Sequence, residues 1–388
     1  MASDRTSIYA STLALALVLS GPVAAQDDAP QIPSREDAPI AYLYDVTSGQ
    51  VLFEREADRR FLPASITKVM TTFLAFEWLE EGRIAPQQTF AMDPETWRAW
   101  SNVGSTMFLP HDAQVTVDDL LHGVTTVSAN DGAAMLAKGA AGTVEEWVAA
   151  MNGKALAIGM SDSRFGTPNG WMDEGRTFTT ARDLGILATQ MVRRHPSKYR
   201  HFVGQRSFTY NDITQTNHDP ISGVVPGADG IKTGFTNQAG FGFLGSASRN
   251  GRRLVMVVAG SERARTRNRA ARDLIEWGFA AFEQKRLFAP EVPVAFAEVQ
   301  GGASREVAMI SPRGLNANFP ADKARQVDLR VDYDGPLRAP VRKGDTIGTL
   351  RVEVDGLPAY TVPLVARDEV REAGGLRRAL NGLLGWLS

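Results

Sequence analysis

Short apolar runs of strand length stand near the beginning of the chain and again after residue 228. The first two runs, residues 40–46 and 51–53, flank Ser48-Gly49, which is the signature of a β-hairpin. Residues 241–258 carry two more runs around Asn250-Gly251, a dipeptide that favours a tight hairpin turn. The pattern therefore predicts antiparallel strand pairs at both ends of this region.

Between these strand pairs the apolar spacing becomes helical. Apolar side chains recur every three or four residues after Pro63, at Val69, Phe73, Phe76 and Leu79. Residues 117–140 and residues 267–282 are predicted to form two further helical stretches. Strands, then helices, then strands predict an α+β domain. We expect an antiparallel sheet that contains both the first and the last strands of this domain. The helices are inserted between these strands in the sequence and pack on the sheet.

The pattern changes after Pro290. Apolar and polar residues alternate at residues 327–333 and 350–354, with turn formers between the runs, which is typical of half-buried strands. We therefore expect residues 40–289 to form the α+β domain and residues 290–367 to form a small all-β domain.

The last segment, residues 368–388, repeats leucine at helical spacing, at Leu376, Leu380, Leu383, Leu384 and Leu387. Arginines lie opposite these leucines, and Trp386 extends the apolar face. A short basic amphipathic helix of this kind is typical of an anchor in the plane of a membrane surface. A terminal helix packed on its own domain is the alternative. Four glycines weaken the intrinsic helicity, so folding would depend on the membrane or on another surface.

The N-terminus has the pattern of an export signal. Arg5 precedes an apolar run at residues 8–19, and Val23-Ala24-Ala25 supplies small residues for cleavage. The run is shorter than the roughly 18 apolar residues that an uncleaved spanning anchor needs. We expect residues 1–25 to be a cleaved signal peptide and residues 26–39 a mobile leader.

Composition and charge exclude several functions. A hydrophobic content of 43% is typical of a folded protein, and a net charge of -2 gives no basic face for nucleic acid. The absence of cysteine excludes disulfides, thiolate metal sites and a cysteine nucleophile. The histidines are scattered, with no pair at helical metal-ligand spacing: His111, His122, His195, His201 and His218. We therefore expect no metal, no zinc hydrolase and no cofactor.

Three short motifs carry candidate chemistry. Ser65 and Lys68 stand three residues apart at the start of a predicted helix, so an uncharged lysine can reach the serine and take its proton. Ser128-Ala129-Asn130 interrupts the helical region. Lys232-Thr233-Gly234 begins the second strand region, where a glycine lets a ligand approach the backbone. Each motif is weak evidence alone, but the three in this order and context are specific.

In these residues the chain resembles the low-molecular-mass penicillin-binding proteins, which are serine D-alanyl-D-alanine carboxypeptidases with a β-lactamase-like fold. The likeness extends over most of the mature chain and includes residues 63–68, residues 230–234 and Trp277-Gly278-Phe279. It implies that residues 40–289 are a serine DD-peptidase catalytic domain. The substrate would be the peptidoglycan pentapeptide, from which the enzyme removes the terminal D-alanine, and β-lactams such as penicillin would acylate it.

The resemblance also implies catalytic roles for the first two motifs and for the lysine of the third. Ser65 would be the nucleophile that is acylated, and Lys68 its general base. Ser128 and Lys232 would relay a proton to the leaving amine, while Asn130 would bind the substrate amide.

The remaining residues of the third motif would bind the substrate as a strand added beside them. Thr233 would bind the terminal carboxylate beside Gly234, and the backbone N–H groups of Ser65 and Phe235 would form the oxyanion hole. Phe235 stands where some relatives have histidine, which affects the expected pH dependence and substrate preference. Arg267 is the candidate opposing charge for the carboxylate, although three neighbours crowd the same stretch: Arg263, Arg265 and Arg269.

Three other functions use the same features. The alternative most similar to a carboxypeptidase is a DD-endopeptidase, which cuts the cross-links between peptides. A β-lactamase is disfavoured, because residues 164–171 lack the acid that activates water in class A enzymes and Glu174 lacks its sequence context. A non-catalytic cell-wall binding protein has no need of Ser65, Lys68 and Lys232 together. We expect a carboxypeptidase on the periplasmic face of the cytoplasmic membrane, bound to that inner-membrane surface by its C-terminal helix.

Overall fold

The computed structural model describes residues 30–322 and 326–374. The predicted signal peptide, residues 1–25, lies outside the described residues, as do residues 375–388 of the predicted anchor. Within the described ranges, no helix has the length and apolar character of a membrane span.

The first domain alternates strands and helices along the chain. Its strands are β1 (Ile40–Asp45), β2 (Gln50–Arg55), β3 (Thr89–Ala91), β4 (Gln114–Thr116), β5 (Ser207–Tyr210), β6 (Ile213–Thr216), β7 (Ala228–Thr236), β8 (Gly240–Arg249) and β9 (Arg252–Ser261). Its helices are α1 (Lys68–Glu80), α2 (Pro94–Trp100), α3 (Val117–His122), α4 (Asn130–Ala141), α5 (Val144–Ala157), α6 (Ala181–Arg194), α7 (Pro196–Phe202) and α8 (Ala264–Ala280). A 3₁₀ turn, Ala64–Thr67, precedes α1, and a π-helical turn, Gly123–Val127, follows α3.

The main sheet is antiparallel, with the strand order β2-β1-β9-β8-β7. β1 pairs with β9, and Leu43 stands opposite Met256. The prediction that the first and last strands share one sheet is therefore confirmed, as are the two hairpins β1–β2 and β8–β9. β7 is an edge strand of this sheet and packs beside the 3₁₀ turn.

Both faces of the main sheet are buried, because apolar residues fill consecutive positions of its central strands. In β9, Val255 and Val257 belong to the core shared with α1 and α6, whereas Met256 and Val258 pack toward α8. Burying one such side chain stabilises a fold by about 1.5–3 kcal/mol. The helix–sheet–helix layers therefore give the edge strand β7 a rigid support.

The helical stretch predicted over residues 117–140 is interrupted at the second motif, as Ser128-Ala129-Asn130 indicated, but the π-helical form of the turn before it was not predicted. The π-helical turn follows α3, and Ser128 then adopts a left-handed φ of 65° before α4 begins at Asn130. Thr125 Oγ1 donates a hydrogen bond to the carbonyl oxygen of Phe202 at 2.7 Å. This bond links the π-helical turn to the end of α7 and helps to hold the interruption in place.

The second domain is built of strands, as predicted. They are β10 (Phe282–Phe288), β11 (Pro293–Gln300), β12 (Glu306–Ile310), β13 (Leu315–Pro320), β14 (Val327–Asp332), β15 (Leu337–Arg338), β16 (Thr346–Val354) and β17 (Tyr360–Ala366). The larger sheet has the order β14-β16-β17-β12-β11-β15, and β10 pairs with β13. Because β10 pairs with a strand of this domain, the domain begins before the predicted boundary at residue 290.

The C-terminal part of the predicted mobile leader, residues 26–39, is bound to the first domain. Its described part contains no helix or strand. Arg55 of β2 donates to the carbonyl oxygens of Pro33 at 2.9 Å and Ala38 at 3.0 Å. The last residues of this segment therefore lie against β2.

The first residues of the predicted anchor helix, residues 368–388, are not helical. Val370 forms a β-bridge with Val341, and Glu372 forms one with Gly302. These extended residues complete the second domain, so the prediction is wrong over this part, and any helix begins later.

A polar joint connects the two domains. Asn318 Nδ2 of β13 donates to Asp45 Oδ2 at 2.9 Å and to Ser48 Oγ at 2.7 Å. The backbone N–H of Asn318 donates to Gln50 Oε1 at 2.6 Å, and Arg252 Nε donates to Asp45 Oδ2 at 2.7 Å. All five residues are buried. Since burial of a polar group is costly without a partner, the joint requires matched groups from both domains.

Candidate active site

Ser65 lies in the 3₁₀ turn directly before α1, and Lys68 is the first residue of α1. The spacing of three residues places Lys68 Nζ 2.9 Å from Ser65 Oγ. Lys68 Nζ also donates to Asn130 Oδ1 at 2.7 Å and to the carbonyl oxygen of Asn169 at 2.8 Å. The amine thus has three partners, of which only the serine hydroxyl can donate a hydrogen bond in return.

These contacts fit an uncharged lysine. A neutral amine has two N–H donors and one lone pair. In the neutral form, Asn130 Oδ1 and the Asn169 carbonyl oxygen would accept the two N–H groups, and the lone pair would accept the Ser65 hydroxyl proton across the 2.9 Å contact. Lys68 is fully buried, and burial lowers its pKa well below the usual value, with repulsion from Lys232 as the second cause. The electrostatics therefore favour a lysine that acts as a base.

A cavity of about 610 Å³ opens at Ser65 and is lined by residues of all three motifs. Aromatic rings form part of its wall. Phe235 is 48% exposed and stacks on Phe241, with the ring centroids 4.0 Å apart, and Trp171 also lines the cavity. Among the described lining residues, none carries a carboxylate.

The second motif occupies the interruption between α3 and α4, where Ser128 and Asn130 both line the cavity. While its Oδ1 accepts from the lysine, Asn130 Nδ2 donates to the carbonyl oxygen of Val103 at 2.9 Å. Asp131, the next residue, accepts backbone N–H groups of Met107 and Leu109 at 3.0 and 3.2 Å. The start of α4 therefore holds both Lys68 and the segment that follows Val103.

The third motif is brought to Ser65 by β7. A Cβ atom on Gly234 would clash with the Pro63 carbonyl oxygen, so glycine is needed for β7 to approach the serine turn this closely. Thr233, Gly234 and Phe235 line the cavity. The motif therefore places a strand edge next to Ser65.

Lys232 and Arg267 bring positive charge to the same region. Burial and then the charge of Arg267 lower the pKa of Lys232 to about 7. Arg267, from α8, lines the cavity and donates from Nη1 to the Gly242 carbonyl oxygen at 2.7 Å. Burial lowers its pKa to about 10, so it is charged at neutral pH. Arg267 is buried, whereas the other arginines of this stretch are exposed: Arg263, Arg265 and Arg269.

Sequence reasoning missed two groups of the site. One is the backbone carbonyl of Asn169, which binds Lys68. The other is His218, which lines the cavity and whose pKa is lowered by burial and then by the charges of Lys232 and Arg267. A carbonyl has no signature in residue type, and His218 is an isolated histidine with no motif around it.

These parts define a class of protein. A serine at a helix start, within hydrogen-bond distance of a buried lysine, is an arrangement in which a hydroxyl group can be activated for hydrolysis. With an antiparallel sheet covered by helices on both faces, it fits the class of the serine hydrolases.

Comparison with known proteins identifies the family. Residues 25–263 match the D-alanyl-D-alanine carboxypeptidase family, and residues 282–372 match the C-terminal domain of penicillin-binding protein 5. The chain therefore belongs to the D-alanyl-D-alanine carboxypeptidase family, a family of hydrolases, and has this carboxypeptidase function. The resemblance to low-molecular-mass penicillin-binding proteins and the predicted fold class of both domains are thereby confirmed. The second match also begins at Phe282, the first residue of β10.

Individual relatives agree with this assignment. The D-alanyl-D-alanine carboxypeptidase DacA of Haemophilus influenzae is 31% identical over 345 residues, which are 88% of this chain and 87% of the relative. DacA of Escherichia coli strain K12 is 31% identical over 352 residues, 87% of this chain and 84% of the relative.

Solved structures have the same fold. Penicillin-binding protein 5 from Haemophilus influenzae is 31% identical, with a TM-score of 0.77 over 88% of this chain and 99% of that chain. Penicillin-binding protein D2 from Listeria monocytogenes in the ampicillin-bound form is 28% identical, with a TM-score of 0.58 over 64% of this chain and 100% of that chain. A peptidoglycan substrate and β-lactam binding are consistent with this family and with that complex.

Proposed function

We propose that this carboxypeptidase works through an acyl-Ser65 intermediate, with neutral Lys68 as the general base. One observation carries the proposal. Lys68 Nζ is fully buried, lies 2.9 Å from Ser65 Oγ and has both of its other hydrogen-bond positions filled by acceptors. The amine is thereby oriented so that its lone pair points at the hydroxyl group.

Ser65 Oγ attacks the carbonyl carbon of the penultimate D-alanine, and its proton passes to Lys68 Nζ. The backbone N–H groups of Ser65 and Phe235 stabilise the oxyanion, a contribution of about 3–4 kcal/mol for one donor in a well-studied protease. The C–N bond then breaks, and the leaving amine takes a proton from Lys232 through Ser128. Free D-alanine departs. Water then attacks the ester carbonyl carbon and gives one proton to Lys232 through Ser128, while protonated Lys68 returns its proton to Ser65 Oγ as the ester C–O bond breaks. Both lysines and the serine are thereby restored, and the shortened peptide leaves as a carboxylic acid that ionises in water.

The substrate lies along the edge strand β7 as an added strand. Its terminal carboxylate binds Thr233 and faces the positive charge of Arg267, which is buried at the cavity wall. The substrate amide hydrogen-bonds Asn130. Phe235 contributes a backbone N–H to catalysis and an aromatic surface to the cavity, so its difference from histidine affects substrate preference more than the chemistry.

β-Lactams acylate the same serine. The support is the family and the ampicillin-bound form of penicillin-binding protein D2, which has the same fold.

The test compares the wild-type enzyme with Ser65→Ala, and with Ser161→Ala as a matched control on the surface. Each protein is incubated with a labelled penicillin and, separately, with a peptide that ends in D-Ala-D-Ala. The wild type and Ser161→Ala should take up covalent label and release D-alanine, whereas Ser65→Ala should do neither. Label on Ser65→Ala, or its absence from the wild type, would contradict the acyl-Ser65 mechanism.

We further propose that the protein is exported by the signal in residues 1–25 and is held at the periplasmic face of the cytoplasmic membrane by an amphipathic helix in residues 375–388. The support is the sequence pattern of the two segments. Deletion of residues 375–388 retains the bridges of Val370 and Glu372, so the second domain stays complete.

The truncated enzyme should move from the membrane fraction to the soluble fraction of the cell and keep its penicillin labelling. Mass spectrometry of the mature enzyme should give an N-terminus at Gln26. Retention of the truncated enzyme on membranes would rule out the anchor, and a mature chain that begins at Met1 would rule out cleavage.

A further inference from the structure

A second cluster of chemically active side chains lies where α3 meets α7. Asp118 and His122 are one turn apart on α3, and His201 belongs to α7. Asp118 Oδ1 lies 3.2 Å from His201 Nε2, and Asp118 Oδ2 lies 3.7 Å from His122 Nε2. One ligand atom from each of the three residues falls within 4.8 Å of the others. None of the three lines the cavity at Ser65.

The cluster combines a fixed ligand with an open side. The ring of His122 packs between Phe202 and Phe208, at centroid distances of 4.8 and 5.8 Å, and its side chain is only 19% exposed. The side chains of Asp118 and His201 are 32% and 57% exposed, so an ion can enter from solvent. Packing therefore fixes one imidazole, and small movements of the other two side chains can complete a coordination sphere.

The chemistry of the ligands selects the ion. Two imidazole nitrogens and one carboxylate oxygen are a common set for Zn²⁺, which holds each of them at about 2.0–2.2 Å and keeps a fourth position for water. Two ligands of one tetrahedral ion at those lengths lie about 3.4 Å apart. The 3.2 and 3.7 Å distances here end on different oxygens of Asp118, and one atom from each of the three residues lies within 4.8 Å of the others, so small side-chain movements bring the three ligands to one ion. Mg²⁺ and Ca²⁺ prefer oxygen ligands. We infer that Asp118, His122 and His201 form a binding site for Zn²⁺.

An ion at this site would join two segments that support catalysis. α3 continues into the π-helical turn that leads to Ser128. In α7, the Tyr199 hydroxyl lies 3.1 Å from Asp229 Oδ1, just ahead of Lys232 in β7. The ion would therefore stabilise the arrangement of the second and third motifs without contacting the substrate.

The test uses the full chain without a polyhistidine tag, freed of metal by a chelator. Zn²⁺ affinity and stoichiometry are measured by competition with a chromophoric chelator, and Co²⁺ is added to detect the visible absorption of a tetrahedral site. The variants are His201→Gln and Asp118→Asn. His111→Gln is the matched control, because His111 Nδ1 also lies 3.2 Å from a carboxylate, that of Asp112, but belongs to no three-ligand cluster among the described residues.

The wild type and His111→Gln should bind one Zn²⁺ per chain and unfold at a higher temperature with Zn²⁺ but not with Mg²⁺. His201→Gln and Asp118→Asn should lose at least about tenfold in affinity, since even an outer partner of a metal ligand contributes that much. Penicillin labelling without metal should be the same in all four proteins, which shows that the variants fold. Zn²⁺ binding that is unsaturable, or equal in wild type and His201→Gln, would overturn the site and leave the cluster as hydrogen bonds alone.

Discussion

At the scale of single residues, the site depends on a series of positive charges. Arg267 lowers the pKa of Lys232, and Lys232 lowers the pKa of Lys68. Burial is the larger cause for both lysines. The result is a lysine at Ser65 whose neutral form is favoured and a second lysine of pKa about 7 that can donate a proton.

This series predicts a pH effect for Lys232→Gln. Removing the charge of Lys232 removes a repulsion that lowers the pKa of Lys68, so the pKa of Lys68 should rise. Acylation requires deprotonated Lys68, and its rate increases as the pH rises through that pKa. The ascending limb of the rate of penicillin acylation, measured by stopped flow, should therefore move to higher pH in the variant.

The matched control for this experiment is Lys343→Gln, which removes the charge of an exposed lysine in the second domain. Its profile should coincide with that of the wild type. A limb that stays in place in Lys232→Gln, or moves to lower pH, would show that Lys232 does not set the protonation of Lys68.

The parts of the site that depend on local spacing and on the order of the motifs could be predicted from the sequence. Ser65 and Lys68 are neighbours on a helix, so their contact follows from the helical repeat. The sequence alone did not show which arginine of this stretch lines the cavity. Which one faces inward depends on how α8 is rotated against the sheet. His122 and His201 come from different helices, so their meeting depends on tertiary packing.

At the scale of elements, regular strands and turns were predictable, and so was the place of one interruption, but not its form. The hairpins follow from Ser48-Gly49 and Asn250-Gly251, whose backbone favours a tight turn. The π-helical turn after α3 is different, since Thr125 forms its hydrogen bond with Phe202, a residue distant in sequence. A periodic pattern contains no information about such a partner, so the sequence predicted the interruption at Ser128-Ala129-Asn130 but not the π-helical turn before it.

The loop that follows α5 offers a test at this scale. Gly170 has a φ of 74°, and a Cβ atom there would clash with the carbonyl oxygen of Ala64, next to Ser65. Gly170→Ala should therefore destabilise the enzyme by about 2–5 kcal/mol, the sum of left-handed strain and overpacking. It should also slow penicillin acylation, because the serine turn must move. Urea unfolding and labelling kinetics measure the two effects.

Gly175→Ala is the matched control in the same loop. Gly175 has a similar φ of 81°, but nothing lies within 4 Å of its added Cβ. The strain alone should cost about 1–2 kcal/mol, and acylation should keep its rate. Equal effects of the two substitutions would mean that the contact with the Ser65 turn is unimportant.

At the scale of the whole molecule, the domain order was predictable from the change of pattern near residue 290, but the joint was not. β10 lies before that point and pairs with β13 beyond it. Asn318 sits within a strand of alternating polar and apolar residues, where nothing in the sequence separates a polar residue that faces water from one that faces the other domain.

The joint predicts a stability effect without a catalytic one. Asn318→Ala removes the Nδ2 donor of the buried Asp45 Oδ2 and Ser48 Oγ, which should cost about 1–3 kcal/mol in urea unfolding of the full chain. Asn316→Ala, at a partly exposed position of the same strand, should change stability by less than about 0.5 kcal/mol. Both should be labelled by penicillin at the wild-type rate. Equal stability of the two variants would contradict the importance of the joint.

The polar joint also limits how these domains can be recombined. A second domain from another carboxypeptidase will fit this first domain only if it presents an amide where Asn318 meets Asp45, Ser48 and Gln50. An apolar contact would tolerate many partners, but a set of matched donors and acceptors does not. Chimeric enzymes should therefore exchange residues 45–50 together with residues 315–320, and in natural relatives these two segments should change in concert.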